Sequence, residues 1–411
     1  MILIAIFIVL IFLYGLVSGR LERTVITAPI LFTTAGMIAA VIIPAVEGHP
    51  LRLQIFLTVA ELGLVLLLFV DASRTDLGVL KSIKNLPVRL LSSGMLLTLL
   101  LGAVFARLVF PGLSIWEAGI LAAILAPTDA GLGQIIVNSP RVPMKIRQAL
   151  NVEAGLNDGL SVPFLLFFIA VTGVGADNVH AKLMPFVVEQ LGYGSLVGGI
   201  IGLAGGGLLG VMHSRKWIAH AWLPLCVVTL PLMCFPLSEE VGASMFIAAF
   251  VAGLAVQIGF KDAAKCSVEF TEGWGQLVNL SVFFLFGLMV ARAWPDFTWK
   301  HGLYAFLSLT VIRMLPVAIA LAGTGLSRAT VLFMGWFGPR GLASIVLGLV
   351  YLEHHTEGSA TSTTIRLAVM LTVLASIFAH GLSALPGMEV YERRIRTLSP
   401  DAPELKSGPQ G

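Results

Sequence analysis

Carboxylates within long apolar runs are the residues of this chain best suited to chemistry. Thr128 and Asp129 lie together in one apolar run, and Glu153, Asn157 and Asp158 lie in the next. An acid at the centre of a bilayer costs about 2.5–3.5 kcal/mol on insertion scales, so it usually faces a wet cavity or a charged partner. Such an acid can bind a proton or a small cation, because the two compete for one negative charge. The pattern therefore predicts an ion or proton path.

The second run carries three polar residues with different expected roles. Asp158 is about 18 Å along its run at 1.5 Å per residue, near the bilayer midplane, and we predict that it is the exchanging carboxylate. The neighbouring Asn157 offers hydrogen bonds without adding charge. Glu153 lies four residues before Asn157 and about 140° around the helix from Asp158. We predict an ion pair between Glu153 and Arg313, with a role for Glu153 as a second proton carrier as the alternative.

Two apolar runs carry helix breakers beside charged residues. Pro127 precedes Thr128 and Asp129 in one run, and Gly338-Pro-Arg340-Gly surrounds an arginine in the other. Proline removes a backbone donor, and the unwound carbonyls with the Thr128 hydroxyl are oxygen ligands suited to Na⁺ or K⁺. We predict that Asp129 compensates the positive end of a half-helix, with direct cation ligation as the alternative. Arg340 is predicted to compensate a half-helix carbonyl end in the same way.

The elements that must position these residues are membrane-spanning helices. The sequence is 57% hydrophobic and 12% charged, about half the charge of a soluble domain. We therefore predict an all-α polytopic membrane protein with about 13 transmembrane helices. The predicted spans are 1–19, 25–46, 51–70, 87–110, 114–138, 146–172, 190–212, 217–237, 241–259, 275–294, 301–323, 329–352 and 363–386.

The distribution of Lys and Arg predicts the orientation of these spans. With the N-terminus outside, the inside connectors hold eighteen basic residues and the outside connectors hold six. Positive charge accumulates on the cytoplasmic side of membrane proteins. We therefore predict a multi-pass protein of the cell membrane with its N-terminus outside and its C-terminus in the cytoplasm.

The two runs with breakers stand at matching positions and predict an internal symmetry. Interrupted helices at corresponding positions in the two halves of a transporter point to a substrate site. If the seventh span is a linker, spans 1–6 and 8–13 become inverted six-helix repeats with two broken crossing helices. The predicted domains are a transmembrane domain over residues 1–388 and a short cytoplasmic tail over residues 389–411.

The remaining residues exclude several other classes of function. The acids that lie well inside a predicted span are Glu61, Asp129, Glu153 and Asp158, and Glu61 is predicted to be protonated or paired rather than a transport ligand. His380 is predicted to be packed or hydrogen-bonded rather than a pH sensor. The net charge of +3 does not indicate a nucleic-acid partner, and the three cysteines form no metal-spaced pair. No cofactor is predicted.

At this point the chain resembles a known family, the bacterial members of the monovalent cation:proton antiporter superfamily in its sodium/proton exchanger branch. The resemblance extends over nearly the whole chain, and the Asn-Asp pair with its upstream Glu is its most specific part. The matching motifs are Thr128-Asp129, Glu153-x-x-x-Asn157-Asp158, Arg313 in Val-Ile-Arg-Met, and Gly338-Pro-Arg-Gly-Leu-Ala.

The resemblance implies a thirteen-span inverted-repeat fold with a dimer domain and a mobile core domain, assembled as a homodimer. It implies that Asp158 alternately binds cation and proton, with Thr128 and nearby backbone as ligands, and that Glu153 pairs with Arg313. In this family an Asn-Asp pair goes with electroneutral one-for-one exchange. Two positions depart from the pattern: Ala154 stands where many relatives carry a cation-ligating Ser, and Ala130 where Pro often follows the Asp.

The predicted function is secondary active antiport rather than an enzymatic reaction. One Na⁺, K⁺ or Li⁺ is exchanged for one H⁺ by alternating access, and the partners are the cation, the proton, the lipid bilayer and a second copy of the chain. The alternatives are a K⁺/H⁺ antiporter, a passive cation channel and an intramembrane aspartyl protease. A channel would pass ions without coupled proton movement. A protease needs two facing aspartates, and the usual Gly-x-Gly-Asp context is missing from the sequence.

Overall fold

A computed structural model describes residues 2–21, 24–43, 53–74, 86–137, 139–172, 185, 187–263, 275–353, 359–399 and 401–405. Within these ranges the regular elements are all helices, as the composition predicts. The α-helices, numbered in chain order, are α1 (Ile2–Leu21), α2 (Ala28–Ile42), α3 (Leu53–Arg74), α4 (Leu86–Val109), α5 (Ile115–Ile124), α6 (Ala130–Val137), α7 (Met144–Thr172), α8 (Gly194–Ser214), α9 (Leu223–Glu240), α10 (Met245–Gly259), α11 (Gln276–Ala293), α12 (Trp299–Leu309), α13 (Val311–Ala320), α14 (Arg328–Trp336), α15 (Leu342–Glu353) and α16 (Ala360–Ile395).

Length and composition suit these helices to a membrane. Among the described residues, 8 helical stretches are long and apolar enough to cross a bilayer, and several shorter apolar helices accompany them. Each predicted span coincides with a described helix or with a pair of consecutive helices. The number that crosses the bilayer stays a prediction, as does the inverted repeat.

The chain divides into two units, and boundaries of the units fall within the helices α3, α7 and α11. Unit 1 comprises Met1–Leu53, Ser82–Ala154 and Leu280–Gly411, and unit 2 comprises Gln54–Lys81 and Gly155–Asn279. Helix α7 therefore changes unit between Ala154 and Gly155, and α11 changes unit just before Leu280. Helix α16 continues without interruption through residue 388 to Ile395, and the domain boundary at residue 388 stays a prediction.

Unit 2 is held together by a close approach of α8 and α10. A Cβ atom added at any of four glycines, spaced one turn apart on α8, would overlap the backbone of α10; they are Gly198, Gly202, Gly206 and Gly210. Small residues at this spacing let two backbones approach closely where no hydrophobic effect drives association. The glycine-rich sequence of α8 is thus explained by packing.

In unit 1, two interruptions bring unwound backbone together. Residues 125–129 separate α5 from α6, and residues 337–341 separate α14 from α15. Both interruptions contain a proline, which cannot donate a helical hydrogen bond. Breaks in these two segments agree with the sequence-based prediction of broken helices.

A third interruption in unit 1 was not expected from the sequence. Thr310 has φ −108° and ψ −90° and separates α12 from α13. Its hydroxyl donates to the carbonyl of Phe306 over 2.6 Å, a back-bond that is known to bend helices. The interruption sets the direction of the first turn of α13, which carries Arg313.

The segment that follows α16 returns to the start of α14. Glu404 is 2% exposed, and its Oε1 accepts hydrogen bonds from the backbone N–H of Ser327 (3.1 Å) and the hydroxyl of Thr330 (2.9 Å). The Lys145 ammonium on α7 donates to the carbonyl of Pro403 over 2.9 Å. The predicted tail is therefore attached to the same unit as the two proline-containing breaks.

Candidate functional site

Asp129 compensates the starts of two helices at once. Its Oδ1 accepts hydrogen bonds from the backbone N–H groups of Gly131 (2.7 Å) and Leu132 (3.1 Å) in the first turn of α6. Its Oδ2 accepts from the N–H of Leu342 at the start of α15 over 2.7 Å, and its own N–H donates to the carbonyl of Pro339 over 2.7 Å. The first N–H groups of a helix have no intrahelical partner and carry a positive partial charge. One carboxylate therefore stabilises both half-helices and joins the two breaks.

Arg340 has the complementary role at the carbonyl ends. Its side chain is fully buried, and Nη1 donates to the carbonyls of Ala126 (3.4 Å), Pro127 (3.2 Å) and Gly338 (3.3 Å). The first two carbonyls follow α5 and the third follows α14. The last carbonyls of a helix carry a negative partial charge, which a cation stabilises. Arg340 and Asp129 together compensate all four half-helix ends.

Glycines in the second break are required by these side chains. A Cβ atom at Gly341 would overlap the carboxylate of Asp129, and one at Gly338 would overlap the guanidinium of Arg313. The close approach, rather than an unusual φ angle, therefore fixes glycine at both positions. The two glycines of the Gly-Pro-Arg-Gly sequence are therefore explained by the side chains that pack against them.

Glu153 and Arg313 are in contact in unit 1. Nη1 of Arg313 donates to Oε1 of Glu153 over 2.5 Å, and the two side chains are 7% and 3% exposed, respectively. The bond links the unit-1 part of α7 to the first turn of α13. A buried ion pair adds little net stability, but removing one partner leaves an uncompensated charge and costs about 3–5 kcal/mol. Replacing either Glu153 or Arg313 alone should therefore lower the stability of the fold.

A small cavity lies beside these charged groups in unit 1. Its volume is about 20 Å³, enough for one water-sized occupant. Its polar lining comes from Thr128, Asp129 and Glu153, and Ala154 contributes its methyl group. The rest of the lining is backbone or apolar: Gly133, Ile136, Val137, Leu150, Phe337 and Pro339. The cavity can therefore hold one small polar or cationic species next to hard oxygen atoms.

Asn157 and Asp158 lie on the part of α7 that belongs to unit 2. They are 3% and 2% exposed, and the Asp158 carbonyl accepts from the Ser161 hydroxyl over 2.8 Å. One residue further, a Cβ atom at Gly159 would overlap the ring of Phe250 on α10. A buried amide and a buried carboxylate are thus held against a closely packed helix. Their transport roles stay predictions.

Asp71 is a further buried acid, and it lies just outside the predicted spans. Asp71 is 8% exposed and lies in the last turn of α3, within unit 2. The Cβ atom of Asp71 would be 3.3 Å from a Cβ atom added at Gly155, which is three residues before Asp158 on α7. The predicted span ended at residue 70, whereas α3 continues to Arg74. The position of Asp71 directly after an apolar run was the sequence feature that could have indicated its burial.

His380 is packed and hydrogen-bonded. It is 3% exposed on α16, with its two ring nitrogens near oxygen atoms of Ser376 and Trp336. Glu61 is buried in α3, at 7% exposure, within unit 2. Neither residue lines the small cavity in unit 1.

The sequence of the chain also matches a known protein family. The family described as "Sodium/hydrogen exchanger, transmembrane" matches residues 6–383 of the chain. The match includes both breaks and every residue of the candidate site.

The names of two relatives of the chain specify different cations, sodium and potassium. The Na(+)/H(+) antiporter of Schizosaccharomyces pombe is 26% identical over 322 residues, which cover 69% of this chain and 67% of that protein. The K(+)/H(+) antiporter NhaP of Alkalimonas amylolytica is 25% identical over 309 residues, covering 72% of this chain and 51% of that protein. The chain spans only part of the length of these relatives.

A solved structure shares the fold. The sodium proton antiporter MjNhaP1 from Methanocaldococcus jannaschii at pH 8 superposes with a TM-score of 0.69 at 20% sequence identity. The superposition covers 93% of this chain and 99% of the other.

Proposed function

Because the chain belongs to the sodium/hydrogen exchanger family, we propose that it is a secondary active antiporter that exchanges a monovalent cation for a proton. Deprotonated Asp158 attracts the cation, and protonation of the same carboxylate releases it. Thr128, with the unwound backbone of the first break, supplies oxygen ligands, and Asn157 supplies uncharged hydrogen bonds. The gradient of one ion drives the movement of the other.

Two observations support this proposal: a cavity of ionic size beside Thr128 in unit 1, and the buried carboxylate of Asp158 in unit 2. Ala154 lines the cavity of about 20 Å³, and Asp158 is four residues further along the same helix. A buried carboxylate can be occupied alternately by a proton and by a metal ion, because both bind the same negative charge.

Charge balance in the candidate site supports exchange of one cation for one proton. Asp129 is matched by half-helix starts and Glu153 by Arg313, so these acids have structural partners. Asn157 cannot titrate. With Asp158 as the exchanging group, one proton replaces one monovalent cation, and transport is electroneutral.

The transported ion is Na⁺, with K⁺ or Li⁺ as further substrates. Oxygen ligands from Thr128 and unwound carbonyls suit all three hard cations, and the relatives carry both sodium and potassium in their names. Ala154 removes the hydroxyl that many family members place beside the ion. The cation is the transported substrate, and antiport of this kind uses no cofactor.

The cellular setting follows from the charge distribution and the family. The helices indicate a membrane protein, and we place its N-terminus outside and its C-terminus in the cytoplasm of a cell membrane. The functional form is a homodimer. Exchange of this kind serves pH homeostasis and requires no enzymatic step.

Transport by reconstituted protein tests the proposal. In proteoliposomes with an imposed ΔpH, wild-type protein should dissipate the gradient on addition of Na⁺, K⁺ or Li⁺, with no change in a membrane-potential probe. Asp158→Asn should abolish this response while the melting temperature stays near that of wild type. Glu389→Gln, which neutralises an exposed carboxylate, is the matched control and should transport normally. Retained exchange by Asp158→Asn would disprove the carrier assignment.

A passive channel and a protease make different predictions in the same preparation. A channel would collapse a potential without coupled proton movement. A protease would cleave a transmembrane peptide and depend on both Asp129 and Asp158. Coupled, electroneutral exchange excludes both.

A further inference from the structure

Two residues of α16 contact the backbone of the second break. Ser376 and His380 are four residues apart and are 0% and 3% exposed. The Ser376 hydroxyl accepts a hydrogen bond from the backbone N–H of Arg340 over 2.6 Å. His380 places Nε2 2.9 Å from the carbonyl of Trp336, at the end of α14. The pair therefore reaches both sides of the segment between α14 and α15.

Each ring nitrogen of His380 lies near a backbone carbonyl: Nε2 is 2.9 Å from that of Trp336, and Nδ1 is 3.0 Å from that of Ser376. A carbonyl can only accept, so in a neutral ring the Trp336 contact is a hydrogen bond when the proton is on Nε2, and the contact with the Ser376 carbonyl is one when the proton is on Nδ1. In the tautomer with the proton on Nε2, Nδ1 accepts, and it lies 3.1 Å from the hydroxyl of Ser376. The Ser376 hydroxyl can accept from Arg340 and donate to His380 at the same time. The result is a continuous chain of hydrogen bonds from the Arg340 N–H to the Trp336 carbonyl.

These hydrogen bonds replace the intrahelical hydrogen bonds that are missing at the break between α14 and α15. Backbone groups within a bilayer must be satisfied by protein, because no water competes for them. A second contact reinforces the attachment: the Trp336 indole N–H donates to the Ser383 hydroxyl over 2.9 Å. The end of α14 and the amide of Arg340 are thus fixed to a 36-residue helix.

The position of the Arg340 backbone controls the first break as well. The guanidinium of Arg340 reaches the carbonyls of Ala126 and Pro127, immediately before Thr128. A shift of the Arg340 amide would move these carbonyls relative to the cavity that Thr128 lines. The Ser376 contact is therefore connected to the cation site through one side chain.

From this geometry we propose that Ser376 and His380 are positioning residues for the cation site, with His380 acting as a neutral hydrogen-bond bridge. This inference rests on the proposed antiport function. The pair does not touch the transported ion. It holds Arg340 and the end of α14 in the arrangement that presents the first-break carbonyls to the cavity.

Four variants separate this role from general stabilisation and from pH sensing. Ser376→Ala and His380→Ala break the chain of hydrogen bonds. His380→Gln preserves it, because the amide can donate to Trp336 and accept from Ser376 without titrating near neutral pH. Thr372→Val is the matched control: Thr372 is a buried hydroxyl one turn away on α16 that bonds within its own helix, to Ala368.

Cation dependence of exchange is the first measurement. Because both variants remove a hydrogen bond that holds the second break, Ser376→Ala and His380→Ala should raise the apparent KM about fivefold or more, with a smaller change in maximal rate. His380→Gln and Thr372→Val should keep the wild-type KM and pH profile. An unchanged KM in Ser376→Ala, or a pH profile that is lost in His380→Gln, would overturn the proposal.

Hydrogen exchange of the backbone provides a readout that is independent of transport. Peptides covering residues 336–342 should exchange faster in Ser376→Ala and His380→Ala, and at the wild-type rate in His380→Gln and Thr372→Val. Equal rates in all five proteins would overturn the positioning role. Absence of any exchange activity in wild type would instead reject the proposed function, so the two failures are distinguishable.

Discussion

The backbone N–H of Leu342 donates to Oδ2 of Asp129 over 2.7 Å, across 213 residues of sequence. The other oxygen of the same carboxylate receives two N–H groups from α6. Asp129 therefore serves as the N-terminal partner of two half-helices. A residue with this many charge-assisted bonds is better explained as a structural anchor than as a free ligand, although it also lines the cavity.

Substitution of Asp129 by Asn tests this anchor. Asn keeps one acceptor oxygen and loses the charge, so at least one N–H of α6 or α15 is left without its partner. We expect the free energy of unfolding to fall by about 1.5–3 kcal/mol, the range for hydrogen bonds to charged groups, measured by thermal or denaturant unfolding in detergent. Glu117→Gln, in the capping box at the start of α5, is the control and should cost less. Equal stability of Asp129→Asn and wild type would argue against the anchor.

Much of the architecture was predictable because membrane helices and their breakers have strong local signals. Apolar runs located the helices, and Pro127 and the Gly338–Gly341 segment located both breaks. The same reasoning predicted which ends Asp129 and Arg340 would face, because a half-helix end requires a charge of opposite sign. The pairing of Glu153 with Arg313 followed from the cost of an isolated buried charge.

Other features depend on contacts that local patterns do not encode. Asp71 was missed because its apolar run ended one residue earlier, and only the packing on Gly155 reveals its burial. The contact of Ser376 with Arg340 could not be predicted from the sequence, because a serine anywhere in an apolar helix can hydrogen-bond to its own helix instead. The interruption at Thr310 and the return of Glu404 to Ser327 likewise arise from tertiary contacts.

A double-mutant cycle tests the coupling between Glu153 and Arg313. Glu153→Gln or Arg313→Gln alone leaves one buried charge uncompensated, and each should destabilise by about 3–5 kcal/mol. The double variant buries no charge at this pair and should be destabilised by clearly less than the sum. Melting temperatures of the four proteins, measured in the same detergent, provide the cycle. Strictly additive effects would refute the coupling.

The same four proteins also separate a structural role from proton carriage. If the pair is structural, exchange by the most stable variant should retain a cation KM close to wild type. If Glu153 carries a second proton, its neutral variant should change the number of protons moved per cation. A membrane-potential probe detects that change directly.

Substitution of Ala154 by Ser tests the vacant ligand position. The hydroxyl adds one hard oxygen to a cavity that Thr128 and Asp129 already line, and the change in volume is small. We expect the apparent KM for Na⁺ to fall by up to about tenfold, equivalent to about 1.4 kcal/mol, in the ΔpH assay. Ala154→Val fills the same space without an oxygen and should raise the KM. A lower KM in both variants would show that packing, not ligation, is responsible.

The Glu404 carboxylate predicts a pH-dependent contribution to stability at the C-terminal end. Burial alone would raise the pKa of Glu404, but the hydrogen bonds from Ser327 and Thr330 outweigh it, and the pKa is lowered. A carboxyl group with a lowered folded-state pKa stabilises the fold above its unfolded pKa, about 4.3. This contribution is lost as the pH falls through the folded-state value. Wild type should therefore be more stable than Glu404→Gln at neutral pH, by about 1 kcal/mol.

The difference in melting temperature between wild type and Glu404→Gln should shrink as the pH is lowered below the usual range of a Glu carboxyl group. The reason is that protonated Glu404 and Gln are both neutral and make similar hydrogen bonds. Glu389→Gln is the control, because Glu389 is 54% exposed and its nearest cation is 3.7 Å away, a geometry that contributes little. A difference between wild type and Glu404→Gln that stays constant from neutral to acidic pH would mean that packing around the side chain, rather than its charge, attaches this segment to the start of α14.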